Sequence, residues 1–132
     1  MPDHIHLKWY KIFQQFNNII AFTTTKQSLQ TSLPRFTGDK ETIFGENRNQ
    51  LARLLRINEN QLFFPRQTHS NCVAEIHNPI QSGLQNIDAL VTNEKATCLC
   101  VQTADCVPIL LFDPVKNVIA AVHAGWRGTV SL

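Results

Sequence analysis

Two apolar runs lie close together late in the chain, residues 107–112 (VPILLF) and 117–122 (NVIAAV). Both are dense in Val, Ile and Leu and bounded by polar turn residues, the pattern of buried β-strands. Asp113-Pro114 stands between them, and the proline ring fixes φ and withholds a ladder donor, so it ends the first strand and opens a turn. Antiparallel pairing about that turn brings Cys106, at the start of one strand, close to His123, at the end of the other.

Upstream, Trp9, Tyr10, Ile12, Phe13 and Phe16 recur at a loose helical spacing, which predicts a short amphipathic helix within residues 1–17. Residues 18–24 (NIIAFTT) read as a first strand, and the polar stretch 25–37, broken by Pro34, as a loop. The clearest helix spans residues 40–56, with Asp39 as its N-cap, Glu41 and Glu46 toward its positive end and Arg53 and Arg56 toward its negative end. Ile43, Phe44, Leu51, Leu54 and Leu55 form its buried stripe, interrupted by the polar pair Asn47 and Arg48. After a turn at 58–61, residues 62–68 (LFFPRQT) read as a strand with Pro65 at an edge or bulge, and 72–76 (CVAEI) as its return. His69 then sits on the loop between two strands, where functional side chains concentrate. Residues 78–87 form a loop, and 88–92 (DALVT) and 97–103 (TCLCVQT) are two further short strands. The pattern thus offers about seven strands and one good helix.

Composition narrows the class. With 132 residues, 43% hydrophobic and 17% charged, the chain can build a core. A net charge of +2 without a basic run gives no electrostatic basis for nucleic-acid binding. No apolar stretch is long enough to span a bilayer, and MPDHIHLKWY lacks the apolar core of a secretion signal. The four cysteines, at 72, 98, 100 and 106, contain no CxxC pair, and Cys98 and Cys100 share one strand face, a poor arrangement for bonding each other. These features predict reduced thiols in a cytoplasm. The chain stops at Leu132, where a strand has ended and a helix would begin, which suggests a truncated product or one half of a longer protein: a single incomplete domain over 1–132. Exposed sheet edges in such a half favour pairing with another copy.

Three chemistry-bearing residues end predicted strands: His69, Cys106 and His123. Two imidazoles and a thiolate make a good zinc shell, and three protein ligands leave a fourth position for water or substrate. The same soft donors would accept copper. Asp105, beside Cys106, is placed to carry a proton or orient a ligand imidazole. Gly125 and Gly128 bracket Trp126-Arg127; Arg127 suits an anion and the Trp126 face suits a stacked ring or a core contact. His4 and His6 alternate in an extended segment and read as a solvated pair.

The motifs QTHSNCV, DALVT, TADCVPILLFD and VHAGWRG, in this order, resemble the YfiH family, whose members are called polyphenol oxidase, multicopper laccase-domain protein or purine nucleoside phosphorylase. The segment GDKETIFGENRNQLA is similar to the one preceding that family's first histidine. The resemblance covers residues 38–129 and implies a layered α/β (α+β) fold of mixed sheets packed with helices, with one catalytic zinc on His69, Cys106 and His123. It also implies phosphorolysis of adenosine, inosine, guanosine or methylthioadenosine, and deamination of adenosine, with Arg127 or Arg48 holding the phosphate. This sequence departs from the pattern after the first strand, where TTTKQSLQTS carries no paired glycines, and the family domain is nearly twice as long. Three other readings stand beside the zinc enzyme: a copper-dependent phenol oxidase, a Cys106-centred hydrolase editing peptidoglycan precursors, and an inactive fragment.

Overall fold

The computed structural model describes residues 7–29, 31, 33–77 and 84–131. His4, His6 and residues 78–83 of the predicted loop lie outside the described residues. The chain divides into two compact units, one up to Leu51 and one from Ala52 onward.

In the first unit, β1 (Leu7–Trp9) pairs antiparallel with β2 (Phe22–Thr24), Trp9 opposite Phe22. The expected N-terminal amphipathic helix is therefore corrected to a strand followed by a single 3-10 turn, Lys11–Phe13. A helix that short cannot offset its nucleation cost, whereas Trp9 gains a cross-strand ring partner in Phe22 at 5.4 Å and Tyr10 donates its N–H to Ala21 O. Helix α1 (Glu41–Leu55) matches the predicted one. Phe44 and Leu51 are buried, and the polar Asn47 between them is fully buried too, its Nδ2 donating to Leu33 O and Arg35 O at 2.7 and 2.6 Å. Gly38, at φ +142°, precedes the helix; a Cβ there would come within 2.7 Å of the Phe44 ring.

Among the described residues, the second unit holds two sheets. β3 (Leu62–Phe63) pairs in parallel with β6 (Cys98–Leu99). The larger sheet has the order β4 (Val73–Glu75), β5 (Ala89–Thr92), β8 (Val118–Ala124), β7 (Val107–Asp113); β4–β5 is parallel and the other pairs are antiparallel. The expected return of 72–76 against 62–68 is corrected: β3 and β4 belong to different sheets. Pro65 has no N–H to offer a ladder, so β3 ends after two residues and the chain crosses to begin the second sheet at Val73. Leu90, Phe63 and Ile76 form the core, with Ala74, Leu84, Ile87 and Leu99 packed around them.

The β7–β8 hairpin forms as predicted, in the register Val107↔Ala124 and Pro108↔His123. Its turn is closed by Asp113 Oδ1, which accepts the N–H groups of Val115 and Lys116 at 2.9 and 3.0 Å. Those donors, Lys116 first, hold the Asp113 carboxyl below its ordinary pKa. β7 is the sheet edge, and Val107, Ile109 and Leu111 expose one apolar flank. Among the described residues, no helix is long and apolar enough to cross a membrane.

Candidate metal centre

His69 comes from the loop between β3 and β4, Cys106 from the bend just before β7, and His123 from the last turn of pairing in β8. Their ligand atoms all lie within 4.8 Å of one another. His123 is buried, Cys106 half-buried and His69 exposed, so the cluster has a closed floor and an accessible rim. The two imidazoles meet edge to face with centroids 5.1 Å apart. Two nitrogens and a sulfur at this spacing fit one cation after small side-chain adjustments, and the donor set suits zinc or copper.

What organises the cluster is Asp88, which is 2% exposed. Its Oδ1 accepts Thr68 N–H (3.0 Å), Ser70 N–H (2.9 Å) and the Ser70 hydroxyl (2.8 Å). Its Oδ2 accepts His69 N–H (3.0 Å) and lies 2.7 Å from His123 Nδ1. The backbone repeats the link, since His123 N–H donates to Asp88 O at 2.7 Å. Three successive N–H groups turned onto one carboxylate require the tight bend that puts His69 at φ +61°, in the left-handed region that costs a side-chain-bearing residue about 1–2 kcal/mol. Burial of Asp88 disfavours its charge; the donors Thr68, His123 and Ser70 outweigh it and hold the carboxyl at about 2, below its ordinary 3.8. An ionised Asp88 can only accept, so His123 Nδ1 is the donor in that bond and Nε2 is the ring nitrogen left to serve as a ligand.

A second brace joins the two segments that lead into the site. Gln67 Nε2 donates to Gln102 O, and Gln102 N–H donates back to Gln67 Oε1, both at 2.7 Å. Glycines do the remaining fitting. A Cβ on Gly125 would stand 3.0 Å from His69 Cδ2, 3.5 Å from Cys106 Sγ and 3.7 Å from His123 Cε1. The backbone there (φ −80°) suits any residue, so the requirement is space. Gly125→Ala is expected to leave the melting temperature nearly unchanged and, if the cluster takes up added zinc, to weaken that binding about tenfold by pressing on His69. Chelator competition on the folded variant checks this; unchanged affinity would show that His69 shifts at no cost.

Asp88 escaped the sequence reading, which took it as the first residue of a strand and gave the imidazole-orienting role to Asp105. The contact to His123 is made by Asp88 instead, and Asp105 is exposed beside Cys106. The available signal was an acidic residue opening the apolar run ALV. Arg127 lies exposed on α2 (Trp126–Val130), its guanidinium carbon 5.4 Å from the centre of the Trp126 ring, and Trp126 is exposed rather than a core anchor. Arg48 belongs to the 1–51 unit, where its guanidinium contacts Phe36 O and Glu41.

Residues 23–132 match the family model described as multi-copper polyphenol oxidoreductase laccase. The chain belongs to that family, the YfiH-type proteins. Among its curated relatives, a purine nucleoside phosphorylase of Bacteroides thetaiotaomicron is 34% identical, over 92% of this chain and 51% of the relative. Adenosine deaminase RL5, from an unknown prokaryotic organism, is also 34% identical, over 96% of this chain and 54% of its own. The crystal structure of the Bacillus licheniformis hypothetical protein YfiH superposes with a TM-score of 0.82 at 26% identity, covering 98% of this chain and 53% of that one. The chain thus spans about half the length of the YfiH-type relatives it matches.

Proposed function

We propose that this chain carries the metal centre of a zinc-dependent enzyme of purine nucleosides, performing phosphorolysis of adenosine, inosine, guanosine or methylthioadenosine and deamination of adenosine. The observation that carries the reading is the convergence of His69, Cys106 and His123 on one point, with His123 oriented by a buried carboxylate. The names of the two relatives, a phosphorylase and a deaminase, support the substrate class. A zinc ion held by these three side chains would supply Lewis-acid activation of water for attack at purine C6.

The protein's own groups do the rest. Asp88 keeps His123 in one tautomer and pins the His69 loop, so the donors are arranged before any metal arrives. Asp105, exposed next to Cys106, is the proposed proton carrier. Phosphorolysis needs an anion held near the ribose C1′, and either Arg127 or Arg48 is the proposed cation for it. The exposed flank of β7 supports association of copies through that edge.

The test is metal content and turnover on the purified chain. One zinc per chain is expected, with adenosine and phosphate giving adenine and ribose 1-phosphate, and adenosine and water giving inosine and ammonia. Cys106→Ala is expected to lower both turnovers by at least about 100-fold. A chain that binds zinc and turns over neither pair would refute the catalytic reading at this length. Oxygen uptake on a phenol by the copper-loaded chain would favour the oxidase instead.

A further inference from the structure

The sulfurs of Cys98 and Cys100 lie 3.7 Å apart, outside the cluster described above. We infer that these two residues form a separate two-thiolate site for a soft, thiophilic cation, with cuprous ion as its natural probe. Leu99 between them packs into the Phe63, Ile76 and Leu90 core, so the alternation of the strand turns both cysteines to the opposite face. Parallel pairing of Cys98 with Leu62, and the 2.9 Å bond from Cys100 N–H to Phe63 O, hold the backbone of the pair in place. Both side chains are half-buried, within reach of an ion yet screened from bulk solvent.

Geometry separates cation binding from a disulfide. Two sulfurs bonded at about 2.3 Å to one ion stand about 3.8 Å apart at a bent angle of about 110° and about 4.6 Å apart when the three atoms lie in line, as two-coordinate soft ions prefer. The observed 3.7 Å lies within about 1 Å of either separation, so side-chain rotation admits an ion without moving the backbone. A disulfide would require the sulfurs to close to about 2.05 Å between residues two apart on an extended strand, whose Cα atoms are about 6.6 Å apart, at the wide limit for such bonds. Two thiolates with no third protein donor suit a soft ion of low coordination number.

The proton balance agrees. The Cys100 thiol donates to Cys98 and draws the Cys98 pKa down against the effect of its burial. The same bond, with burial and the charge on Cys98, raises Cys100 well above the ordinary thiol value. The pair thus holds its last proton between the two sulfurs, and the cation displaces that proton on binding.

The experiment uses the zinc-loaded chain, so that the His69–Cys106–His123 centre is filled, and titrates cuprous ion against a chromophoric chelator. One ion per chain is expected, with thiolate-to-copper charge-transfer absorption. Cys98→Ser and Cys100→Ser should each weaken binding at least about 100-fold, the loss of one arm of a chelate, with zinc content unchanged. Cys72→Ser should bind as the parent does. Alkylation followed by peptide mass mapping on the unaltered chain provides a readout independent of variant folding. Bound cuprous ion should protect Cys98 and Cys100. Equal alkylation with and without the ion, undiminished binding by Cys98→Ser, or a disulfide between the pair in the freshly purified protein would each overturn the proposal.

Discussion

Replacing Asp88 by alanine is expected to cost about 3–5 kcal/mol of stability and to separate His69 from Cys106 and His123. The carboxylate is the acceptor for Thr68, His69 and Ser70 N–H, for the Ser70 hydroxyl and for His123 Nδ1. Its removal leaves these donors at a buried position without their acceptor and releases His69 from its left-handed conformation. Asparagine is no conservative substitute. Each carboxylate oxygen accepts backbone N–H groups, so either orientation of the amide points its NH2 at a donor. A fall of roughly 10 °C or more in melting temperature is expected for alanine, with at least tenfold weaker zinc binding for either variant.

Acid titration of the metal-free chain provides an independent check. The folded pKa of Asp88, about 2, lies below its ordinary 3.8. The contribution from this shift, about 2 kcal/mol, is therefore complete at pH values well above 3.8 and is lost as pH falls through about 2. Denaturant midpoints taken across that window should fall more steeply for the parent than for Asp88→Ala. Parallel curves would mean that Asp88 does not carry this charge in the folded state.

Gly128→Ala is expected to destabilise the chain by about 1–3 kcal/mol and to weaken zinc binding at least tenfold. In an exposed helix the same exchange would stabilise by about 1 kcal/mol, so the sign alone is diagnostic. A Cβ at Gly128 would lie 2.3 Å from Ser70 O and 3.0 Å from Ser70 C. That carbonyl belongs to the bend held by Asp88 and cannot retreat without breaking those hydrogen bonds. Helix α2 must move instead, taking with it Gly125, which closes against His69, Cys106 and His123. Melting curves and chelator competition on Gly128→Ala settle it; a variant as stable and as tight-binding as the parent would show that α2 does not rest on the Ser70 peptide.

The parts that could be read directly from the sequence share one property: their interactions are local. The β7–β8 hairpin follows from two apolar runs and a five-residue spacing, and it alone places Cys106 near His123. Helix α1 follows from a 3.6-residue stripe of apolar positions. The N-terminal segment misled because Trp9 and Tyr10 fit a helical spacing, and only pairing with residues near Phe22 makes Leu7–Trp9 a strand. The pairing of β4 with β5 rather than β3 was equally invisible, since Pro65 signals that a ladder stops without naming the next partner.

The sequence alone pointed to the trio His69, Cys106 and His123, the hairpin and the family, because residue type and short-range pattern suffice for those. The tertiary structure decided that Asp88 governs the site. Its partners lie 18 to 35 positions away along the chain, at Ser70 and His123, and a hydrogen bond to a carboxylate depends on where the backbone folds. The same is true of Gly125 and Gly128: what a missing methyl group makes room for is visible only once its neighbours are in place.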